Sequence, residues 1–580
     1  MKITKYLITT LLAVIVFVTA CNDDEFLDVQ PTGSLSEAQL QSRAGLEGSL
    51  IAAYATLLGR RGFYSDASNW FWGSVLGGDA NKGSDPGDQS QVNEIQRYEP
   101  QSNNSSIFQV YSTLYEGVAR SNATIRLVAN ANPDVPESVK TRVEGEARFL
   151  RAHYYFSLKR IFNNVPMVDE TWDGVTPISN TADMWPMIEA DLEFAFNNLP
   201  ETQSAAGRAN RWAAGAYLGK VHLFQQDYAA AEPIFDDVIA NGVTSSGDKY
   251  DLLPNYADAF TSPNDNSAES VFAAQAAAGT GTIENANPAM VLNFPHGGTD
   301  RPGGCCGFNQ PSFELANSFR TDANGLPLLD GSYNDAGNAL VNDNEVGATD
   351  AFTPDQGNLD PRLDHSVGRR GIPFLDWGDF PGVSWIRNQP NGGPYSPKKF
   401  MYSQAGAGSE NDATSWTPGY TAVNYNIIRF ADVLLMAAEV KVEQGDLEEA
   451  RALVNRVRQR AANSSLLRGD GTPAANYVIS TYDDPWTGLQ ETARQAVRFE
   501  RKLELSGEGH RFFDLVRWGV AAETLNAYLE HERANLSGTA FVGASFTPGV
   551  NEYLPIPLRE IELINGAAGE EVLVQNPGYN

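Results

Sequence analysis

Two helical hairpins of the same style, about 200 residues apart, constrain this chain more than any other feature. In the first, Tyr217, Leu218, Val221 and Phe224 mark one stripe of a helix that ends at Gln225-Gln226-Asp227-Tyr228, and Ala230, Ile234 and Val238 resume the spacing beyond that turn. Ala214, Gly215, Gly219 and Ala231 are small enough to let the two helices approach closely. In the second, Ile428, Ala431, Leu435 and Ala438 precede a Gly445-Asp446 turn, and Ala450, Val454 and Val457 follow it. The copies are not in tandem, which argues against a simple solenoid. Upstream, Ile107, Tyr111, Leu114, Val118 and Ile125, then Val143, Ala147, Leu150, Tyr154 and Leu158, predict two further packing helices. Residues 242–420 are rich in Gly, Pro, Asn and Asp and show little periodicity. The fold predicted is therefore mainly α: a helical-hairpin scaffold with a long irregular loop-rich insert carrying short strands, laid over it.

The N-terminus reads as an export signal. Lys2 and Lys5 precede an apolar run from Leu7 to Ala20, and Val18-Thr19-Ala20 leads into Cys21. Fourteen residues of helix span roughly 21 Å, short of the roughly 30 Å hydrocarbon core. The pattern resembles a bacterial lipobox, with Val18 in place of the more usual leucine, and implies that Cys21 is acylated when residues 1–20 are removed. An ordinary signal with an incidental cysteine is the alternative. Asn22-Asp23-Asp24-Glu25 opens an acidic tether over 21–35, of the kind that sends lipoproteins of some Gram-negative bacteria to the outer face of the outer membrane.

Acids outnumber Lys and Arg by 72 to 42, and loss of Lys2 and Lys5 takes the net charge from −30 to near −32. Nucleic acid is excluded as a partner, because phosphate binding needs a basic surface. A strongly anionic ligand would approach against the mean field. Besides Cys21 the chain has only the adjacent pair Cys305 and Cys306. In an oxidising compartment these either close a vicinal disulfide that stiffens the Gly303 to Gly307 turn or remain two thiols. They have no second Cys pair or spaced His pair to make a zinc site.

In order along the mature chain stand Phe26-Leu27-Asp28 and Pro31, Tyr115-Glu116-Gly117, Arg120-Ser121-Asn122, Glu146-Ala147-Arg148-Phe149-Leu150-Arg151-Ala152 and Val165-Pro166. Then come Arg429-Phe430-Ala431-Asp432-Val433-Leu434-Leu435 with Glu439, then Asn455 and Arg458. Glu500-Arg501-Lys502-Leu503-Glu504-Leu505 leads on to Gly507-Glu508-Gly509-His510-Arg511-Phe512-Phe513-Asp514-Leu515-Val516-Arg517-Trp518. The end carries Leu554-Pro555-Ile556-Pro557 and Gln575-Asn576-Pro577-Gly578-Tyr579. This series resembles the SusD/RagB family, the lipoprotein partners of SusC-like TonB-dependent outer-membrane transporters. The resemblance implies tetratricopeptide-like hairpins, loops with a shallow glycan site, no catalysis and no cofactor. It also implies a surface-facing lipid-anchored protein that captures oligosaccharide and closes over the transporter barrel. The regions it suggests are 36–241 and 421–580 as family regions, with 242–420 as the ligand-binding part.

Glu500 and Glu504 share a helix face and could form a glycosidase dyad. With Arg501, Arg511 and Arg517 crowding the segment, an ion network that fixes the helices is the better reading, as for Arg148, Arg151, Arg429, Asp432 and Glu439. There is no Gly-x-Ser-x-Gly elbow, His-Glu-x-x-His or phosphate-cradling Gly-x-x-x-x-Gly-Lys-Ser/Thr. Asp322-Ala323-Asn324-Gly325 and Asn342-Asp343-Asn344-Glu345 complete no calcium loop and read as solvated turns.

Sugar rings stack their C–H faces on aromatics while their hydroxyls need polar partners, so the candidate ligand residues are aromatics in loops. The first group is Trp70 and Trp72 around Phe71, with Asp79, Asn81 and Lys82 after them. The second is Trp377, Trp385, Arg387 and Tyr395, near Phe374 and Phe380. The third is the turn holding Cys305, Cys306, Phe308, Asn309 and Gln310. Each ring has a core reading beside its ligand reading. Trp172, Trp185, Trp212 and Trp518 lie in or beside helical patterns and read as core. The function predicted is capture of a neutral glycan such as a β-glucan, mannan or xylan. A peptide-binding protein and a structural lid without its own ligand site are the alternatives, with a hydrolase last.

Overall fold

The computed structural model of the protein describes residues 36–59 and 62–579. Cys21 and the acidic tether lie outside the described residues. The first half is a stack of antiparallel helices: α1 (Arg43–Tyr54), α2 (Ser105–Ala129), α3 (Glu137–Phe162), α4 (Trp185–Asn198), α5 (Arg211–Phe224) and α6 (Tyr228–Asn241). Side chains start them: Asn104 Oδ1 accepts from the Ser106 and Ile107 amides, Asn210 Oδ1 from Ala213, and Asp227 Oδ1 from Ala230. The small residues act as their spacing predicts. A Cβ on Gly215 would lie 2.8 Å from the Phe196 ring of α4, and one on Gly219 2.7 Å from the Phe235 ring of α6.

The second hairpin is α7 (Phe430–Gln444) and α8 (Leu447–Ala462), divided by Gly445 at φ 87°, a conformation glycine adopts without a Cβ clash. Far apart in sequence, the hairpins join in space. Lys441 of α7 pairs with Glu232 and Asp236 of α6 at 2.9 Å, and Lys220 of α5 reaches Asp432 of α7 at 3.0 Å. The chain closes with α9 (Gln490–Glu504), α10 (Arg511–Arg517), α11 (Ala521–Asn535) and α12 (Leu558–Ala568).

The short strands tie the insert to the scaffold. β1 (Ala80–Gly83) pairs antiparallel with β3 (Phe308–Pro311), placing Asn81 opposite Gln310. β2 (Ser270–Ala274) pairs antiparallel with β4 (Tyr425–Arg429), which runs straight into α7. Composition predicts an insert laid over the scaffold, and the structure instead packs it in. Phe294, Phe308, Phe313, Phe374, Tyr395 and Phe400 join the same continuous core as the helices.

Where insert and C-terminal helices meet, charges are buried together. Arg429 reaches Glu269 at 2.8 Å, Glu504 at 2.6 Å and Glu508 at 2.8 Å. Arg362 holds Asp360, Glu500 and Glu504 at 2.7, 2.6 and 2.9 Å, Arg458 takes Glu500 at 2.9 Å, and Arg460 joins Glu269 and Glu504. Burial alone would raise the Glu504 carboxyl, but Arg460, Arg429 and Arg362 hold it far below the usual range. Both carboxylates of the i, i+4 pair are thus taken up by guanidinium groups. Arg151 with Asp191 (2.7 Å) and Arg517 with Glu439 (2.5 Å) brace other helices in the same way.

Candidate functional site

The structure places most of the aromatic candidates in the interior. Trp70 and Trp72 are 2 % and 1 % exposed, and both indole N–H groups donate to backbone, Trp70 to Phe63 O (2.9 Å) and Trp72 to Tyr64 O (2.5 Å). Neither ring faces solvent. Asp79, Asn81 and Lys82 are buried as well. Asp79 accepts from the Gly507 amide at 3.0 Å, and burial pushes its carboxyl up to about 6. Asn81 donates to Glu532 (2.8 Å) and accepts from Tyr528 (2.7 Å), while Lys82 Nζ donates to Asp85 O and Asp88 O and lies 5.6 Å from the Phe308 ring. Phe308, Asn309 and Tyr395 are covered, and Trp385 packs edge-on to Phe374 and Phe380 at 5.7 and 5.5 Å. The physical reason is common to all of them. An insert with few regular elements must supply its own core, and aromatic rings fill the most volume per residue.

Two other readings change. Trp172, read as core, is 41 % exposed, and Asp343, read as part of a solvated turn, is buried, with its carboxyl pushed up to about 6 by that burial. Among the described residues no group of three His, Cys, Asp or Glu is placed to hold a metal ion. Asp322 instead closes its own turn, accepting from the Asn324 and Leu326 amides at 2.8 Å. No helix among the described residues is long and apolar enough to cross a membrane.

What the structure does bring to the surface is the Cys305-Cys306 turn and its surroundings. The two cysteines are joined as a vicinal disulfide, Cys305 half-buried and Cys306 beneath it. Gly303, at φ 67°, donates its amide to Tyr402 Oη at 2.7 Å and passes so close to the Phe294 ring that a Cβ would overlap it. The Cβ position of Gly304 lies 3.2 Å from Thr417 Oγ1, which sets the turn against the residue that follows Trp416. Trp416 is 56 % exposed, donates Nε1–H to Tyr420 Oη at 3.2 Å and stands edge-on to half-buried Phe63 at 6.3 Å.

Polar groups flank the other side. The Arg301 guanidinium donates to Gly297 O and, at 3.3 Å, to Gly304 O, bracing the disulfide turn. The Cβ position of Gly307 is 3.5 Å from His296 and 3.6 Å from Arg387. Arg387 donates to Ser84 Oγ at 3.0 Å and pairs with Asp88. Burial and then the Arg387 and Arg301 charges lower the His296 pKa, with Asp88 opposing. Trp377, half-buried, donates to Tyr402 O at 3.2 Å and so joins the same group from behind. The loops therefore bring an exposed indole, a second ring and a half-buried disulfide turn near hydrogen-bonding groups. Of the sequence candidates they gather Cys305, Cys306, Arg387 and Trp377. Trp416, Phe63, His296 and Arg301 were missed. Trp416 left a readable signal, as the only tryptophan in a Gly-, Ser- and Asn-rich stretch without periodicity.

Fold and face together define a scaffold of helical hairpins with a partly exposed aromatic and polar face built on its loops. The chain belongs to the SusD family, whose model matches residues 268–579, and a second model, described as starch-binding associating with outer membrane, matches residues 25–223. It is similar to SusD-like protein P2 of Formosa agariphila, 24 % identical over 594 residues, covering 99 % of this chain and 100 % of that one. Among solved structures it is similar to a laminarin binding SusD-like protein (TM-score 0.63, 24 % identity, 92 % of this chain and 99 % of that one). It is also similar to surface glycan-binding protein A from Bacteroides thetaiotaomicron in complex with laminarihexaose (TM-score 0.62, 20 % identity, 92 % and 99 %).

Proposed function

We propose that this protein is a non-catalytic surface lipoprotein that captures a neutral glycan of the β-glucan class and passes it to a SusC-like TonB-dependent transporter. The observation that carries the reading is the exposed Trp416 ring, set against Phe63, with the next residue, Thr417, against Gly304 of the Cys305–Cys306 turn. An apolar ring left open to water beside fixed hydrogen-bonding groups suits a sugar, whose two faces differ in the same way. Family membership supports the transporter partner, and the names of two similar structures support the β-glucan class. The net charge of −30 disfavours polyanionic glycans. Cys21 supplies the anchor in this reading.

Calorimetric titration of the chain from Asn22 onward with laminarihexaose, mannan and xylan oligosaccharides and mixed peptides tests it. Saturable heat with the β-glucan is expected, weakened about tenfold or more in Trp416→Ala. Heat with peptides alone would replace the ligand class, unchanged glycan affinity in the variant would move the site elsewhere, and release of reducing sugar would overturn the non-catalytic reading.

A further inference from the structure

On a different part of the molecule, an apolar groove of about 460 Å³ runs between the middle of α2, the 166–178 segment and α12. Its walls include Tyr111, Tyr115, Val118, Trp172, Val175 and Leu563. Val175 is 79 % and Leu563 55 % exposed, an unusual display of apolar surface on so acidic a chain. Tyr115 already donates its hydroxyl to Pro166 O at 2.6 Å, and Glu560 is the one charged side chain in the lining. Such a wall offers an apolar segment burial and offers sugar hydroxyls almost nothing.

We propose that this groove seats the chain's own N-terminal arm, with Phe26, Leu27 and Val29 filling it. Length fits first. Ser36 begins the described chain, and the next residues are pinned to the far end of α2, where Asn132 Nδ2 donates to Ala38 O and its amide to Gln41 O, both at 3.0 Å. From Asn132 back to Val118 and Tyr111 is roughly 21–32 Å of helix axis, and the seven to ten residues from Ser36 back to Val29 and Phe26 extend over about 23–33 Å. Composition fits next, because Phe26-Leu27-Asp28-Val29 is the one apolar cluster between Cys21 and Ser36. Charge fits as well. Arg559 of α12 lies over the Phe108 ring of α2 at 5.1 Å, one helical turn from Tyr111, and makes no ion pair among the described residues, leaving it for Asp28. The family match that covers α2 and α3 also begins at residue 25, inside the arm.

Two measurements on the chain from Asn22 onward test the inference. Leu27→Cys combined with Leu563→Cys should oxidise to an intramolecular disulfide, found by peptide mapping in most of the monomer, while Leu27→Cys with the exposed Leu489→Cys should not. Phe26→Asp with Leu27→Asp should speed amide exchange over residues 172–178 and 558–568 about tenfold without unfolding the protein. No cross-link above the control, or unchanged exchange, overturns the proposal. Cross-linking only between molecules, rising with concentration, overturns it in favour of a second copy in the groove.

Discussion

The ionic core beneath the C-terminal helices and the loop face around Trp416 use polar and aromatic side chains in opposite ways. In the core each charge is answered by charge. Arg429 alone touches three carboxylates, contributed by residues 269, 504 and 508. On the face, partners are fewer and less buried: Trp377 donates to Tyr402 O, Arg301 to Gly297 O and Gly304 O, Arg387 meets Ser84 and Asp88 at side chains 30 % and 23 % exposed, and the Trp416 ring is 56 % exposed. A closed set of partners marks a part of the protein that holds the fold, and an open set marks a part that meets something else.

The contrast is broken most severely at Arg429. Arg429→Ala would remove a buried cation shared by Glu269, Glu504 and Glu508, leaving only Arg460, Arg362 and Lys399 against them, at a cost of about 3–5 kcal/mol. Urea denaturation followed by far-UV circular dichroism should show that loss, whereas Trp416→Ala should stay within about 0.5 kcal/mol of the parent. A small loss at Arg429 would mean that water or rearrangement relieves the core, and its closed character would fall.

That asymmetry explains what was legible in the sequence. Helices and hairpins were readable because a stripe of Tyr217, Leu218, Val221 and Phe224 has one good solution, and that Glu500 and Glu504 would be ion-paired was readable too. Their partners were not: they are Arg362, Arg458, Arg429 and Arg460 from distant segments, while the nearby Arg501 and Arg517 pair with Asp432, Asp514 and Glu439. The loop rings had no such signature. Trp70 and Trp416 are both tryptophans in polar surroundings, yet one is sealed with its N–H on Phe63 O and the other stands open. The deciding fact is tertiary. β1 carries Asn81 and Lys82 into a pairing with β3 across more than 200 residues, and nothing local announces it. The adjacency of Gly304 to Thr417, which assembles the face, is equally non-local.

Asn81 allows a sharper test of the boundary, because its partner Glu532 titrates. Burial pushes the Glu532 carboxyl up to about 7, with Asn81 and the Glu314 amide opposing. A folded-state pKa above the unfolded value near 4.3 means the proton is held more tightly in the fold. Its contribution is therefore complete below about pH 4 and is lost as pH rises to about 7, a change of about 4 kcal/mol. Glu532→Gln carries no charge, so its stability relative to the parent should improve by most of that amount between pH 5 and pH 8, read from urea midpoints. A difference that does not vary with pH would show that water reaches Glu532 and Asn81, returning Asn81 to the candidates for ligand contact.

The smallest effect is expected at Arg387, which stands on the boundary itself. Its ion pair with Asp88 leaves the two side chains 30 % and 23 % exposed, and its other partner is the Ser84 hydroxyl. A pair this accessible contributes less than about 1 kcal/mol and weakens with salt. Arg387→Ala should hence leave the melting midpoint nearly unchanged, while glycan titration falls because a donor beside the Cys305–Cys306 turn is gone. The neighbouring Lys82 amine, lowered to about 8 by burial and held up by Asp88 and Asp85, loses a repelling charge in that variant and should titrate higher. If Arg387→Ala instead destabilises the protein by about 2 kcal/mol or more, well beyond the range for such pairs, the guanidinium belongs with the closed core. The proposed face would then contract to Trp416, Phe63 and the disulfide turn.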